Sequence, residues 1–125
     1  MVRAEWVRLP GGNQRLTVTG HAGAGRSGED LVCAAVSALV ETWRLGWERV
    51  VPGAGQCRVE AGEAVFCWNG QSETAQAIAD TMIAGLADLA ESHRRFVRFA
   101  EVDRQTMNDI AQERGDGGAA AVVCP

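Results

Sequence analysis

GHAGAGRSGEDLVCAAVS, residues 20–37, is the stretch on which the reading of this chain turns. It separates two kinds of pattern. Before it, Arg15 to Thr19 alternates, with Leu16 and Val18 on one side and Arg15, Thr17 and Thr19 on the other, as a half-buried strand does. After it, Val32, Val36, Leu39, Val40, Trp43 and Trp47 recur at helical spacing. Asp30 is an N-cap candidate for that helix, and Pro52-Gly53-Ala54-Gly55 stops it. A glycine-containing loop between a strand and a helix start is a common place to display reactive groups.

Working outward, Val2 to Val7 reads as a first strand, joined to the second by the turn formers Pro10-Gly11-Gly12-Asn13. Gln56 to Glu60 and Glu63 to Trp68 form a second hairpin around Gly62. Ser72 caps a second helix that runs to about His93, with Ala75, Ile78, Ala79, Met82, Leu86 and Leu89 as its buried stripe. Phe96 to Val102 alternates again as a last strand. The order ββαββαβ predicts an α+β domain over residues 1–102, with two helices packed on a mostly antiparallel sheet. Residues 103–125 change character: a polar stretch, then Gly115-Asp116-Gly117-Gly118 and an Ala/Val run to Cys124 without a clear partner. This tail is expected to be loosely attached or disordered.

A chain of 125 residues buries one core without disulfides or metal. Its 46% hydrophobic content excludes disorder. A net charge of −4 disfavours nucleic acid and anionic membrane and favours a basic peptide or protein partner. MVRAEWVRLP lacks the apolar run of a signal peptide, and no stretch is apolar enough for a membrane span, so a cytoplasmic protein is expected. Cys33, Cys57, Cys67 and Cys124 form no CxxC pair, and reduced thiols are expected. Cys57 and Cys67 read as packing residues across the second hairpin. Neither a metal site nor a cofactor is expected.

The chemistry concentrates in the opening stretch. A cysteine attacks as thiolate, which the positive end of a helix favours, and Cys33 sits close after the proposed cap. His21 lies twelve residues earlier at the end of a strand, within reach of a folded loop. It can serve as base for the thiol and then as acid for a leaving amine. Gly23, Gly25 and Gly28 allow sharp bends and leave room for a substrate backbone. Asp30 and Ser37 are supporting candidates. Asp30 either caps the helix or orients His21, and Ser37, one turn beyond Cys33, either lines the pocket or is a small helix-surface residue. The bland alternative is a small buried cysteine and a loop histidine.

Gly23 to Gly28 also spells GxGxxG, a dinucleotide fingerprint. The alternating strand before it, the hairpin after the helix, and Glu29 and Asp30 where a pyrophosphate would sit all argue against that use.

GHAG…GEDLVCAAVSALV resembles the signature of the ribosomal-processing cysteine proteases, the Prp family, with the same His-to-Cys spacing. AQAIADTMIAGLADLAE is similar to that family's second helix, so the resemblance covers about residues 1 to 102. It implies that His21 and Cys33 form a catalytic dyad in a small α/β protein that dimerises. It also implies a substrate: the N-terminal extension of a large-subunit ribosomal protein, the one numbered twenty-seven, cut after an aromatic residue during ribosome maturation. Ala24-Gly25-Arg26-Ser27 departs from the family loop, which often carries aromatic and acidic residues, and the tail has no family counterpart. The alternative function is a non-catalytic module that holds a ribosomal protein during assembly.

Overall fold

A computed structural model of the chain describes residues 1–20 and 27–102, with the backbone alone for 27–30. The elements are β1 (Val2–Arg8), β2 (Asn13–Thr19), α1 (Ser27–Leu45), β3 (Gly55–Glu60), β4 (Glu63–Asn69), α2 (Glu73–Ser92) and β5 (Val97–Val102). A short 3-10 turn at Pro10–Gly12 joins β1 to β2, and a π-turn at Gly46–Val50 extends α1. The predicted order is therefore observed. The expected tail and the loop residues 21–26 lie outside the described residues.

One five-stranded sheet runs β3-β4-β2-β1-β5. Three neighbouring pairs are antiparallel, as expected, but β5 returns beside β1 in parallel, so the sheet is mixed. The cause is α2, which carries the chain from β4 across β2 and β1 to the far edge. α1 makes the opposite journey, from β2 over β4 to β3. The two crossovers start from antiparallel strands and run in opposite directions, so the right-handed rule puts both helices on the same face. They pack against one another there.

Alternation sorts the strands between two faces. Val2, Ala4, Leu16, Val18, Ala64, Phe66, Trp68 and Val97 meet Val36, Val40, Trp43, Ala75, Ala79, Ile83 and Leu86 in one buried cluster under the helices. Ile83, outside the stripe read from the sequence, is buried, whereas Ile78, Met82 and Leu89 are only partly so. Trp43 stacks on Phe66 with ring centroids 4.1 Å apart, and Trp47 meets Trp43 edge-on at 5.4 Å. Both indole Nε1 atoms are buried without a hydrogen-bond partner.

A polar chain ties the sheet to α2. Trp6 Nε1 donates to Gln14 Oε1 at 3.0 Å, and Gln14 Nε2 donates to Gln76 Oε1 at 2.7 Å. Trp68 Nε1 donates to the same Gln76 oxygen at 3.0 Å. Ser72 caps α2 as expected, its hydroxyl accepting from the Ala75 amide. His93 closes it, its backbone amide donating to the Leu89 carbonyl.

The second hairpin also forms as read, with Gly62 at φ +82 in its turn. Its cysteines do not face each other. Cys57 pairs in register with Phe66 and Cys67 with Gln56, which places the two on opposite faces of the sheet. The expectation of two reduced packing cysteines fails at Cys67, which is disulfide-bonded. Cys33 and Cys57 keep their thiols.

Candidate functional site

Cys33 is the candidate nucleophile that the structure describes. It lies in the second turn of α1, 7% exposed, and belongs to the buried cluster under the helices. α1 begins at Ser27, three residues earlier than the cap read at Asp30. Asp30 therefore sits in the first turn rather than at the cap. Ser27 is itself a cap-type residue, and Glu29 and Asp30 behind it suit the positive helix end. The backbone N–H groups without helical acceptors belong to this first turn, so the Cys33 amide lies inside the ladder. The Cα–Cβ bonds of a helix tilt toward its N-terminus, so the Cys33 side chain leans back over the turn that holds those amides.

The other half of the pair is reached through the end of β2. Thr19 is flanked in register by Arg3 of β1 and Glu63 of β4. Gly20 follows with φ +82, and its amide donates to the Gly62 carbonyl at 3.0 Å. A Cβ at Gly20 would collide with the carbonyl oxygen of Met1. The chain thus turns out of the sheet at a point pinned from both sides, one residue before His21. His21, Gly23 and Gly25 lie outside the described residues. Gly28 is in the first turn of α1, and Ser37 is half-buried one turn after Cys33.

Two features near this point were not read from the sequence. Gly20 and Gly62 act as a pair, a tertiary contact between a strand end and a distant hairpin that no local pattern announces. Leu31, two residues before Cys33, is 74% exposed. It lies off the apolar stripe that starts at Val32, but its degree of exposure was not read from the sequence.

The remaining thiol is of a different kind. Burial pushes the Cys57 thiol above its ordinary pKa; Arg44 pulls it down, and Glu48 and Glu41 push it up again. Cys57 is thus held protonated at neutral pH. Two clefts among the described residues lie elsewhere. One, of about 450 Å³, is lined by Leu9, Gln14, Gln56 and Trp68 among others, and one of about 600 Å³ by Ala87, Arg94 and Phe99 among others. Neither includes Cys33. No helix among the described residues is long and apolar enough to cross a membrane.

The family described as cysteine protease Prp matches residues 1–98. No curated protein sequence matches the chain. Among solved structures, SMU.848 from Streptococcus mutans is similar at 27% identity and a TM-score of 0.73, covering 83% of this chain and 96% of its own. An essential ribosomal processing protease, Prp, from S. aureus in complex with a substrate peptide is similar at 20% identity and a TM-score of 0.72, covering 81% of this chain and 99% of its own. The same S. aureus protease with a covalently linked product peptide is similar at 21% identity and a TM-score of 0.69.

Proposed function

The chain belongs to the Prp family of cysteine proteases, and from that premise we propose that Cys33 and His21 form its catalytic dyad and that its substrate is the N-terminal extension of a large-subunit ribosomal protein, the one numbered twenty-seven. The observation that carries this reading is the seat of Cys33 at the start of α1, a short loop away from the pinned strand end at Gly20. GHAG begins at that strand end, and DLVCAAVS begins in the first turn of α1.

In this mechanism the Cys33 thiol gives its proton to the His21 imidazole, and the sulfur attacks the scissile carbonyl carbon. The carbonyl oxygen becomes an oxyanion, for which the first-turn amides of α1 are the nearest fixed donors among the described residues. Collapse of the tetrahedral species breaks the C–N bond, and His21 returns the proton to the leaving amine. A thioester is left on Cys33. Water, giving its proton to His21, attacks the thioester and releases the carboxylate product and the thiol. Asp30 lies three residues before Cys33 in the helix, a spacing that brings side chains to neighbouring positions. Asp30 and, one turn beyond Cys33, Ser37 stand as the supporting candidates of this reading. Gly23, Gly25 and Gly28 give the intervening loop room for substrate backbone.

The net charge of −4 suits a substrate that is basic after the cut. Substrate complexes of the S. aureus relative support the reading at the level of substrate class. The enzyme is expected to act in the cytoplasm, as a homodimer, without cofactor and without contacting nucleic acid directly. The test is to mix the purified chain with the extended ribosomal protein of the same genome and to sequence the new N-terminus. A single cut after an aromatic residue is expected. An intact substrate, with a generic thiol-protease substrate still cleaved, would overturn the substrate while leaving the peptidase.

A further inference from the structure

Among the described residues the sheet ends on β3 at one edge and on β5 at the other. A cleft of about 600 Å³ runs along the β5 edge, between that strand and α2. Ala87, Ala90, Glu91 and Arg94 form its α2 wall, at the spacing of one helix face. α1 covers a different face of α2, since Gly46 lies against Ile78 and Gly85 against Leu39. Phe99 and Ala100 stand on the β5 side of the cleft. Phe99 is half-buried there, and Arg98, Ala100 and Glu101 are exposed. Arg94 is exposed too and makes no ion pair among the described residues.

The backbone of β5 is set to accept one more strand. The Val2 amide donates to the Phe96 carbonyl at 2.8 Å, and Val2 is level with Val97 in the parallel pairing. The N–H and C=O of one strand residue point to the same side, and those of the next residue point to the other. Phe96, Arg98 and Ala100 thus turn their backbone groups toward β1. Val97, Phe99 and Glu101 turn theirs outward along the cleft. The Val97 amide is held by the His93 carbonyl at 3.0 Å, which leaves its carbonyl and both groups of Phe99 and Glu101 on the open side. Such a row is a template for pairing with another chain.

We propose that the β5 edge is where two copies of this chain meet, their β5 strands paired antiparallel about a two-fold axis at Phe99. The inference rests on the expected homodimer and assigns its surface; it does not depend on the peptidase chemistry. A two-fold contact uses the same edge on both copies and closes at two. Joining β5 to the β3 edge of another copy would leave free edges at both ends and propagate. The β3 edge is also guarded by the exposed Arg58, ion-paired with Glu60 and Glu63. The residues fix the register. Opposing Phe99 to Phe99 matches ring with ring beside the alanines of the two α2 helices. It also sets Glu101 of one copy opposite Val97 of the other, on the helix side of the sheet, where Arg94 stands without a partner. The present partner of Glu101 is the exposed Arg8 at 3.2 Å, and a carboxylate accepts from two guanidinium groups. Symmetry makes the Arg94–Glu101 contact twice. Charge and apolar surface thus both complement themselves across the axis, and two five-stranded sheets become one continuous sheet.

Sedimentation of the full-length chain at micromolar concentration tests this by charge exchange. The wild-type chain is expected to sediment as a dimer. Arg94→Glu and Glu101→Arg, both at exposed positions, are each expected to weaken self-association at least about tenfold, because each sets like charges together twice. The double variant restores opposite charges and is expected to return within about threefold of wild type. Hydrogen exchange of the Phe99 amide is expected to be at least about tenfold slower in the wild-type dimer than in Arg94→Glu protein. A wild-type chain that stays monomeric would remove the homodimer and this interface together. A dimer of wild-type strength in both single variants, with unchanged exchange at Phe99, would overturn the interface and leave the homodimer. Additive weakening in the double variant would overturn the Arg94–Glu101 contact and the register built on it.

Discussion

The amide of Gly20 donates to the carbonyl of Gly62 at 3.0 Å, and this bond fixes where the chain leaves the sheet for the candidate site. Gly20 has φ +82 and no room for a Cβ beside Met1. Gly20→Ala is therefore expected to cost about 1–3 kcal/mol in chemical denaturation, from the unfavourable φ and the collision together. Peptidase activity is expected to fall further than the lost stability explains, because His21 follows directly. Wild-type turnover by folded Gly20→Ala protein would separate this turn from catalysis.

Leu31 offers a different kind of contact. It is 74% exposed and two residues from Cys33, so its apolar side chain is available to a bound peptide. Leu31→Ser is expected to change stability by no more than about 0.5 kcal/mol. In steady-state kinetics it is expected to raise KM several-fold with kcat nearly unchanged. An unaltered KM would remove Leu31 from the substrate surface.

The two described thiols separate by pH. Burial is the main cause that raises the Cys57 pKa, with Arg44 opposing and Glu48 and Glu41 reinforcing it. Its thiolate therefore appears at higher pH than that of an exposed cysteine, and its alkylation is expected to stay slow at neutral pH and rise in alkali. The linked stability has the same sign. It is fully present below the unfolded thiol pKa and is lost as pH rises through the folded one. Cys33, if paired with His21, is expected to be alkylated first at pH 7, and His21→Ala to slow it. Mass-resolved iodoacetamide kinetics from pH 6 to 10 reads both.

Gln76 accepts from Trp68 and Gln14 through one oxygen and donates through Nε2 to Asp80 at 2.7 Å. Gln76→Leu leaves two part-buried donors without that acceptor and is expected to cost about 1–3 kcal/mol in urea denaturation. Trp43 behaves otherwise. Trp43→Ala is expected to cost about 3–5 kcal/mol, since it empties the stack on Phe66. Trp43→Phe keeps an aromatic face and removes an orphaned donor, and is expected to cost less than half as much.

Local chemistry made much of this fold legible. The alternation of Leu16 and Val18, the Ser72 cap and the Gly62 turn all act over a few residues, and each is found where the pattern put it. The parallel return of β5 beside β1 is a different matter, because strand composition does not record its neighbour. α1 starts at Ser27 instead of Asp30, and the sequence offers both, since Ser and Asp are each favoured at a helix start. No local pattern marks Cys67 as disulfide-bonded, and its register partner Gln56 follows from the turn at Gly62 rather than from its own residue type. The candidate site was legible as GHAG and DLVCAAVS. The Gly20–Gly62 contact that seats it joins residues too far apart in the chain for any sequence window.

The central claim is that Cys33 attacks and His21 carries the proton. The most direct measurement is single-turnover cleavage of the extended ribosomal protein by wild-type, Cys33→Ala and His21→Ala chains, each confirmed folded and substrate-binding. The account predicts cleavage by wild type, with loss of at least about 10³-fold in both variants. Cleavage by Cys33→Ala at the wild-type rate would contradict it.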